Sequence, residues 1–232
     1  MPSLADLLSL SRKPSADLAR DGAAVVRSFL NRDEASGLKA TVEDLFSAFA
    51  ECTSFANADM ARHYQSRQAI WLGELPPFLA ANDRALLPRY DALINRVTER
   101  TRALFGAGWQ PYLSHSFIRR MNPKLRLPWH LDADAAHLDH SRCCNVWLPL
   151  DNVGTSRPSL DMILGSHRKL RASVKQKDAP ALIASLGKPW SPRLDLGDAL
   201  IFDQFTYHRS QIVDGSGGTR TSCEFRFYYD EL

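Results

Sequence analysis

The chain has 232 residues, 44% of them hydrophobic and 24% charged, and a formal net charge of +3. That length is ample for a hydrophobic core, and these proportions are those of a globular protein, so intrinsic disorder is not the default reading. The mild positive balance is not gathered into a basic run, so nucleic acid is not indicated as a partner.

The first twenty residues, MPSLADLLSLSRKPSADLAR, lack the basic start, apolar stretch and small-residue cleavage site of a secretory signal. No apolar run approaches a membrane span. The expectation is a cytoplasmic protein with no membrane partner. Cys52, Cys143, Cys144 and Cys223 form no Cys-x-x-Cys pair. They read as buried reduced thiols, with the vicinal pair on opposite faces of a strand.

In chain order, GAAVVRSFL from Gly22 is a short β-branched run and reads as a strand. The following segment, from Asn31, places Leu38, Val42, Leu45, Phe46 and Phe49 on one helical stripe, with Asn31 or Asp33 to cap it. A second helix from Arg89 repeats the period with Tyr90, Leu93, Ile94, Val97, Thr101, Leu104 and Phe105, and Gly106 is a natural stop. Between these helices, residues 52–88 show no clear period and receive no assignment.

After Gly106 the character changes. PYLSHSFIRRM, LPWHLD, CCNVWLPLD, SLDMIL, RLDLGDALIFD, TYHRSQIV and RTSCEFRFYY are strand-like runs separated by turn-rich pieces, and only KDAPALIASLG reads as a short helix. Many short strands with such turns suggest an antiparallel sandwich or barrel with the N-terminal helices packed outside it. With no internal repeat and no linker, residues 1–232 read as one domain, helical support over 1–107 and a β core over 108–232.

One stretch carries chemistry. His-Leu-Asp occurs twice, at His130–Asp132 and at His137–Asp139. On a strand, residues two apart share a face, so either copy presents an imidazole beside a carboxylate. A further histidine from a distant strand would complete a facial triad with open positions on the metal. His208, between two predicted strands, has that setting, whereas His63 and His115 do not and His167 sits at a turn. Nothing resembles the His-Glu-x-x-His of zinc hydrolases.

Taken in order, WHLD, NVWLPLDNVGTSRPSLDMILGSHR, GDALIFDQFTYHRS and GGTRTS resemble the phytanoyl-CoA dioxygenase family of Fe(II)/2-oxoglutarate-dependent oxygenases. The resemblance runs from about Gly22 to Tyr229 and is strongest from Trp129 onward. It implies a mainly β protein with N-terminal helices: a double-stranded β-helix, or jelly-roll, core flanked by α-helices, with iron at one mouth. It also chooses between the two tripeptides. The family keeps a tryptophan on the return strand, and Trp147 stands 15 residues after Asp132 but 8 after Asp139, the longer interval being the family's.

The implied metal ligands are His130, Asp132 and His208. For the cosubstrate 2-oxoglutarate the resemblance implies Arg220, twelve residues after His208, with Ser210, Ser222, Asn145 and Trp147 around it. Arginine suits the far carboxylate because its planar fork meets both oxygens. The last strand alternates Arg220, Ser222, Glu224, Arg226 and Tyr228 against Thr221, Cys223, Phe225, Phe227 and Tyr229. Its polar face belongs either in water or inside a polar barrel, and Arg226 is the rival arginine.

The implied reaction couples O2 and decarboxylation of 2-oxoglutarate, giving succinate and CO2, to oxidation of a substrate carbon. Hydroxylation is the expected outcome. Halogenation is disfavoured, because halogenating relatives replace the carboxylate that Asp132 supplies. Alternatives are a jelly-roll iron enzyme without 2-oxoglutarate and a non-catalytic jelly-roll ligand-binding module. His137, Asp134 and Arg120 are expected beside the substrate, and Asp134 could compete as a ligand if the strand continues. Basic residues flanking the motif (Arg119, Arg120, Lys124, Arg126, Arg168, Lys169, Arg171) either attract an anionic substrate or form a solvated rim, and 232 residues leave little length for a lid, which favours a small metabolite.

Overall fold

The computed structural model describes residues 12–52, 58–121, 126–133, 142–213 and 218–229. Helix α1 (Arg12–Asp21) leads into strand β1 (Ala23–Val26) and then the long helix α2 (Arg32–Glu51). Asn31 caps α2: its side chain accepts from the Glu34 amide at 2.9 Å, and Glu34 accepts from the Asn31 amide at 2.9 Å. This reciprocal box satisfies two amides that a helix start leaves open. The expected stripe of α2 is buried, with Ala35 and Thr41 added to it.

The unassigned stretch contains α3 (Ala58–Arg67), β2 (Ala69–Trp71) and α4 (Leu75–Asn82). Elements this short are below the length at which a period can be read. Helix α5 (Leu87–Phe105) follows, ending at Gly106 with φ 108°, a conformation that favours glycine. The β-rich half comprises β3 (Trp109–Pro111), β4 (Phe117–Met121), β5 (Cys143–Pro149), β6 (Leu160–Met162), helix α6 (Ala179–Leu186), β7 (Ala199–Asp203), β8 (His208–Ser210) and β9 (Arg220–Tyr229).

Seven strands form the major sheet in the order β1-β7-β5-β9-β4-β2, with β3 also on β9, all pairs antiparallel. Both outer strands come from the helical half of the sequence. A minor sheet pairs β6 with β8 and is widened by single bridges from Met162 to Trp190 and from His208 to His130.

Between the helices and the outer face of the major sheet lies the largest apolar core, including Val42, Phe46, Val97, Val146, Leu148, Ile201, Phe225 and Phe227. A smaller cluster around Trp147, Met162, Leu200 and Phe202 closes one end of the space between the sheets. A third, with Trp129, Leu131 and Tyr207, backs the minor sheet with α6 packed near it. The architecture is the sheet-rich antiparallel jelly-roll with flanking helices that the sequence led us to expect. No disulfide forms: Cys143, Cys144 and Cys223 are buried free thiols and Cys52 is half-buried. Among the described residues, no helix is long and apolar enough to cross a membrane.

Candidate metal centre

The metal motif, expected as a strand, is a segment joined to the minor sheet by the single bridge at His130, and its side chains alternate. Trp129 and Leu131 point into the apolar cluster behind the minor sheet, Trp129 stacking on Tyr207 with ring centroids 5.2 Å apart. His130 and Asp132 therefore face the opposite way, into the space between the sheets. The main chain of His130 is paired reciprocally with that of His208, at 2.9 and 3.1 Å. That pairing brings a residue of β8 beside one 78 positions earlier in the chain. His130 Nε2 lies 3.6 Å from Asp132 Oδ1, and His208 Nε2 lies 3.7 Å from Asp132 Oδ2. One donor atom from each residue falls within 4.8 Å of the others, and among the described residues no other such group of metal-ligating side chains forms.

The rings are oriented for metal binding. His130 Nδ1 is 2.8 Å from the Pro128 carbonyl, and His208 Nδ1 is 2.9 Å from the Thr206 carbonyl. Each carbonyl holds a proton on Nδ1 and leaves the Nε2 lone pair for a cation. Asp132 is fixed on both oxygens: Asn145 donates to Oδ2 at 2.5 Å and Arg226 to Oδ1 at 3.0 Å. Burial alone would raise the Asp132 pKa, but the charge of Arg226 leads the interactions that outweigh it and hold the carboxyl below its usual range. For His208, burial and the nearby His130 push the pKa down to about 4, so this imidazole is neutral at physiological pH. At His130 burial opposes protonation, but Asp132 prevails and the pKa rises. Two imidazole nitrogens and one carboxylate, converging with one side left open, fit a divalent iron ion.

A cavity of about 180 Å³ opens beside this cluster. Its wall includes His130, Asp132, Trp147, His208, Ser210, Arg220 and Ser222, so the structure brings these sequence-predicted residues together. Asn145 stands behind Asp132. The polar stripe of β9 is thus inside the barrel: Arg220, Ser222, Glu224 and Arg226 are all buried, while Cys223, Phe225 and Phe227 face the helices.

Arg220 is in an unusual state. Its Nη1 donates to the carbonyls of Pro158 at 3.0 Å and Ser159 at 2.8 Å, and its Nη2 contacts the Met121 sulfur at 3.1 Å. Its Nε is buried with no hydrogen-bond partner, and no described carboxylate lies within ion-pair distance. The Trp147 ring lies 5.0 Å from the guanidinium carbon. Burial and the neighbouring charge of Arg119 push the Arg220 pKa down to about 10, which still leaves it charged at neutral pH. A buried cation without a counterion is costly, and an orphaned donor makes it costlier. The site fits a carboxylate-bearing ligand. Arg226, the rival arginine, already serves Asp132 at 3.0 Å and Glu224 at 3.3 Å.

One expectation is corrected. Arg120 does not reach the cavity: it pairs with Glu43 of α2 and lies over the Phe46 ring at 4.3 Å, on the helix side of β4. Strand alternation sends Arg119 inward instead, opposite Ser222 of β9, with Arg120 opposite Thr221. Asp134 and His137 lie outside the described residues, as do Asp139 and His140. The sequence also did not single out Trp71, Phe117, Leu127 and Glu224 as cavity residues. Trp71, Phe117, Glu224 and Trp147 form one row across β2, β4, β9 and β5. The parity of β9 was the available signal for Glu224. Burial, and next to it the charge of Asp132, push its carboxyl up to about 7.

Comparison with known proteins agrees with this geometry. No curated protein matches the chain. Among solved structures, EctD from S. alaskensis, crystallised with 2-oxoglutarate and 5-hydroxyectoine, is 20% identical with a TM-score of 0.69, over 94% of this chain and 76% of that one. EvdMO1 is 21% identical with a TM-score of 0.68, and the chain covers about half of it, 49%, with 94% of its own length matched. SnoN, a non-haem α-ketoglutarate-dependent epimerase from nogalamycin biosynthesis, is 17% identical with a TM-score of 0.66, over 98% of this chain and 82% of that one. These likenesses establish a shared fold. The phytanoyl-CoA dioxygenase family model matches residues 18–222, a span that takes in the histidine–aspartate–histidine cluster and Arg220 and ends within β9. The chain belongs to the phytanoyl-CoA dioxygenase family of iron- and 2-oxoglutarate-dependent oxygenases.

Proposed function

We propose that this protein is an Fe(II)- and 2-oxoglutarate-dependent dioxygenase that hydroxylates an unactivated carbon of a small metabolite, releasing succinate and CO2. The observation that carries the reading is one cavity holding both the converging donors of His130, Asp132 and His208 and the counterion-free Arg220. His130, Asp132 and His208 are the residues that would hold iron. When bound, iron with 2-oxoglutarate and O2 supplies the oxidising chemistry.

The chain's own part is positioning and shielding. Asn145 and Arg226 hold Asp132 in one orientation, and the Pro128 and Thr206 carbonyls hold the two imidazoles. Arg220 is placed to receive the far carboxylate of 2-oxoglutarate, with Ser222 and Ser210 lining the same wall. Trp147 covers the guanidinium and keeps water from it. The small cavity supports a small substrate. Its wall includes three arginines (Arg119, Arg220, Arg226) against two carboxylates (Asp132, Glu224), while Arg209 on the same strand as His208 is turned to Asp161, and this balance supports an anionic one. SnoN, which shares the fold, is an epimerase. The pose of the substrate carbon, set by residues such as Glu224 and Phe117, therefore decides the outcome.

The test is spectroscopic and then chemical. Anaerobic addition of Fe(II) and 2-oxoglutarate should give a weak visible charge-transfer band, absent in His130→Ala. Candidate metabolites are then screened for stimulated succinate release, and a product heavier by one oxygen identifies hydroxylation. Wild-type protein that binds neither iron nor 2-oxoglutarate would sink the reading.

A further inference from the structure

Arg220 is fully buried, yet its hydrogen-bond acceptors are two main-chain carbonyls of one segment and a thioether. Thioether sulfur is a weak acceptor, so the carbonyls of Pro158 and Ser159 set where the guanidinium sits. What holds those carbonyls thus sets how Arg220 meets a ligand.

The hydrogen bonds around Ser159 answer this. Its amide donates to Gln211 Oε1 at 2.8 Å, and its carbonyl accepts from the Gln211 amide at 3.1 Å. The same carbonyl accepts from Arg220 Nη1 at 2.8 Å. Gln211 therefore grips both polar groups of the Ser159 residue, one with its side chain and one with its main chain. It follows Ser210 at the end of β8, the strand that carries the metal-facing His208. The other side of the segment is tied by Arg157 to Asp151 at 2.5 Å, and Asp151 also accepts from the amide of Thr221, next to Arg220, at 3.2 Å.

We infer that Gln211 is a positioning residue for Arg220, acting through the Ser159 main chain to set affinity for the far carboxylate of 2-oxoglutarate without influencing the metal ligands. The inference rests on the reading of Arg220 given above. Removing the Gln211 side chain leaves the Ser159 amide without its acceptor, and the peptide shifts to find another. The carbonyl that orients Arg220 moves with it. His208 is insulated, because its own partners are the His130 main chain and the Thr206 carbonyl. Glutamate at this position keeps an acceptor oxygen, and the main-chain half of the grip survives any substitution.

The experiment uses iron-loaded protein under anaerobic conditions, titrated separately with 2-oxoglutarate and with 2-oxobutyrate. The second acid offers the same chelating end but has no far carboxylate. Gln211→Leu should weaken 2-oxoglutarate binding about five- to tenfold, the worth of one lost hydrogen bond. It should leave 2-oxobutyrate and Fe(II) binding unchanged, and Gln211→Glu should restore wild-type affinity. Equal weakening of both acids, weakened Fe(II) binding, or unchanged 2-oxoglutarate binding overturns the assignment. If Arg220→Ala retains the full preference for 2-oxoglutarate over 2-oxobutyrate, the reading of Arg220 itself falls and the Gln211 role with it. Should Gln211→Leu not fold, Gln211→Ala makes the same comparison.

Discussion

The two faces of β9 are equally hidden from water and unlike in every other respect. On the helix side, Cys223, Phe225 and Phe227 are 0%, 1% and 0% exposed; on the cavity side, Arg220, Ser222, Glu224 and Arg226 are 3%, 3%, 8% and 5% exposed. The aromatic face gains stability by leaving water. The charged face loses it, since each buried ion forfeits hydration that its neighbours only partly replace. Within that face Arg226 and Glu224 partly compensate each other, whereas Arg220 has no described counterion. One face therefore maintains the fold, and the other is a set of charges waiting for ligands.

Substitutions should separate the two faces. Asp132→Ala is expected to have the largest effect, eliminating tight Fe(II) binding and the charge-transfer band while the protein stays folded, measured by anaerobic metal titration with circular dichroism alongside. On the opposite face, Phe225→Ala should cost about 3–5 kcal/mol of stability in urea denaturation. Under conditions where this variant is folded, its iron affinity should match wild type. Arg220→Ala should weaken 2-oxoglutarate binding roughly tenfold to a hundredfold, the range for charge-assisted hydrogen bonds. The same variant should unfold at a higher temperature than wild type when no ligand is present, because an uncompensated buried charge is gone.

A pH experiment probes the same face more gently. The Glu224 carboxyl is raised from its ordinary 4.5 to about 7 in the folded protein. The folded state thus holds this proton more tightly than the unfolded chain does. The resulting stability is present at low pH and is lost as pH rises through about 7. In metal-free protein, the thermal midpoint of Glu224→Gln minus that of wild type should therefore grow between about pH 5 and pH 8. A gap that shrinks would show that Arg226 dominates burial at this carboxyl. Least affected should be Arg120→Ala. The ion pair of Arg120 with Glu43 is partly exposed, so its loss should cost under about 1 kcal/mol and leave both titrations unchanged.

Periodicity made the helix-side half of this picture legible in the sequence. The stripes of α2 and α5 and the alternation of β9 are local patterns, and each survives into the fold. The cluster of His130, Asp132 and His208 also follows from face-sharing on one strand end plus the family resemblance. What the sequence could not show is parity across strands. Arg119 and Arg120 are adjacent and identical, and only the register of β4 on β9 turns the first inward. The competition between Arg220 and Arg226 was equally opaque, because Asp132, the partner that occupies Arg226, is 94 residues away in the chain. The outer strand β2 escapes for a different reason. It is three residues long, and it is a strand by virtue of the neighbour it pairs with, whereas β1 is longer, β-branched and legible.

The reciprocal main-chain pair between His130 and His208 makes ion retention a matter of strand pairing. Strands β6 and β8 have three residues each, and a sheet so small has little stability of its own. An ion held by both imidazoles and Asp132 would act as a clasp on that sheet, because the ligands part when the pair opens. Release of the ion and local opening of the minor sheet then become a single event. Its rate is set by amide opening at these two histidines, well short of global unfolding.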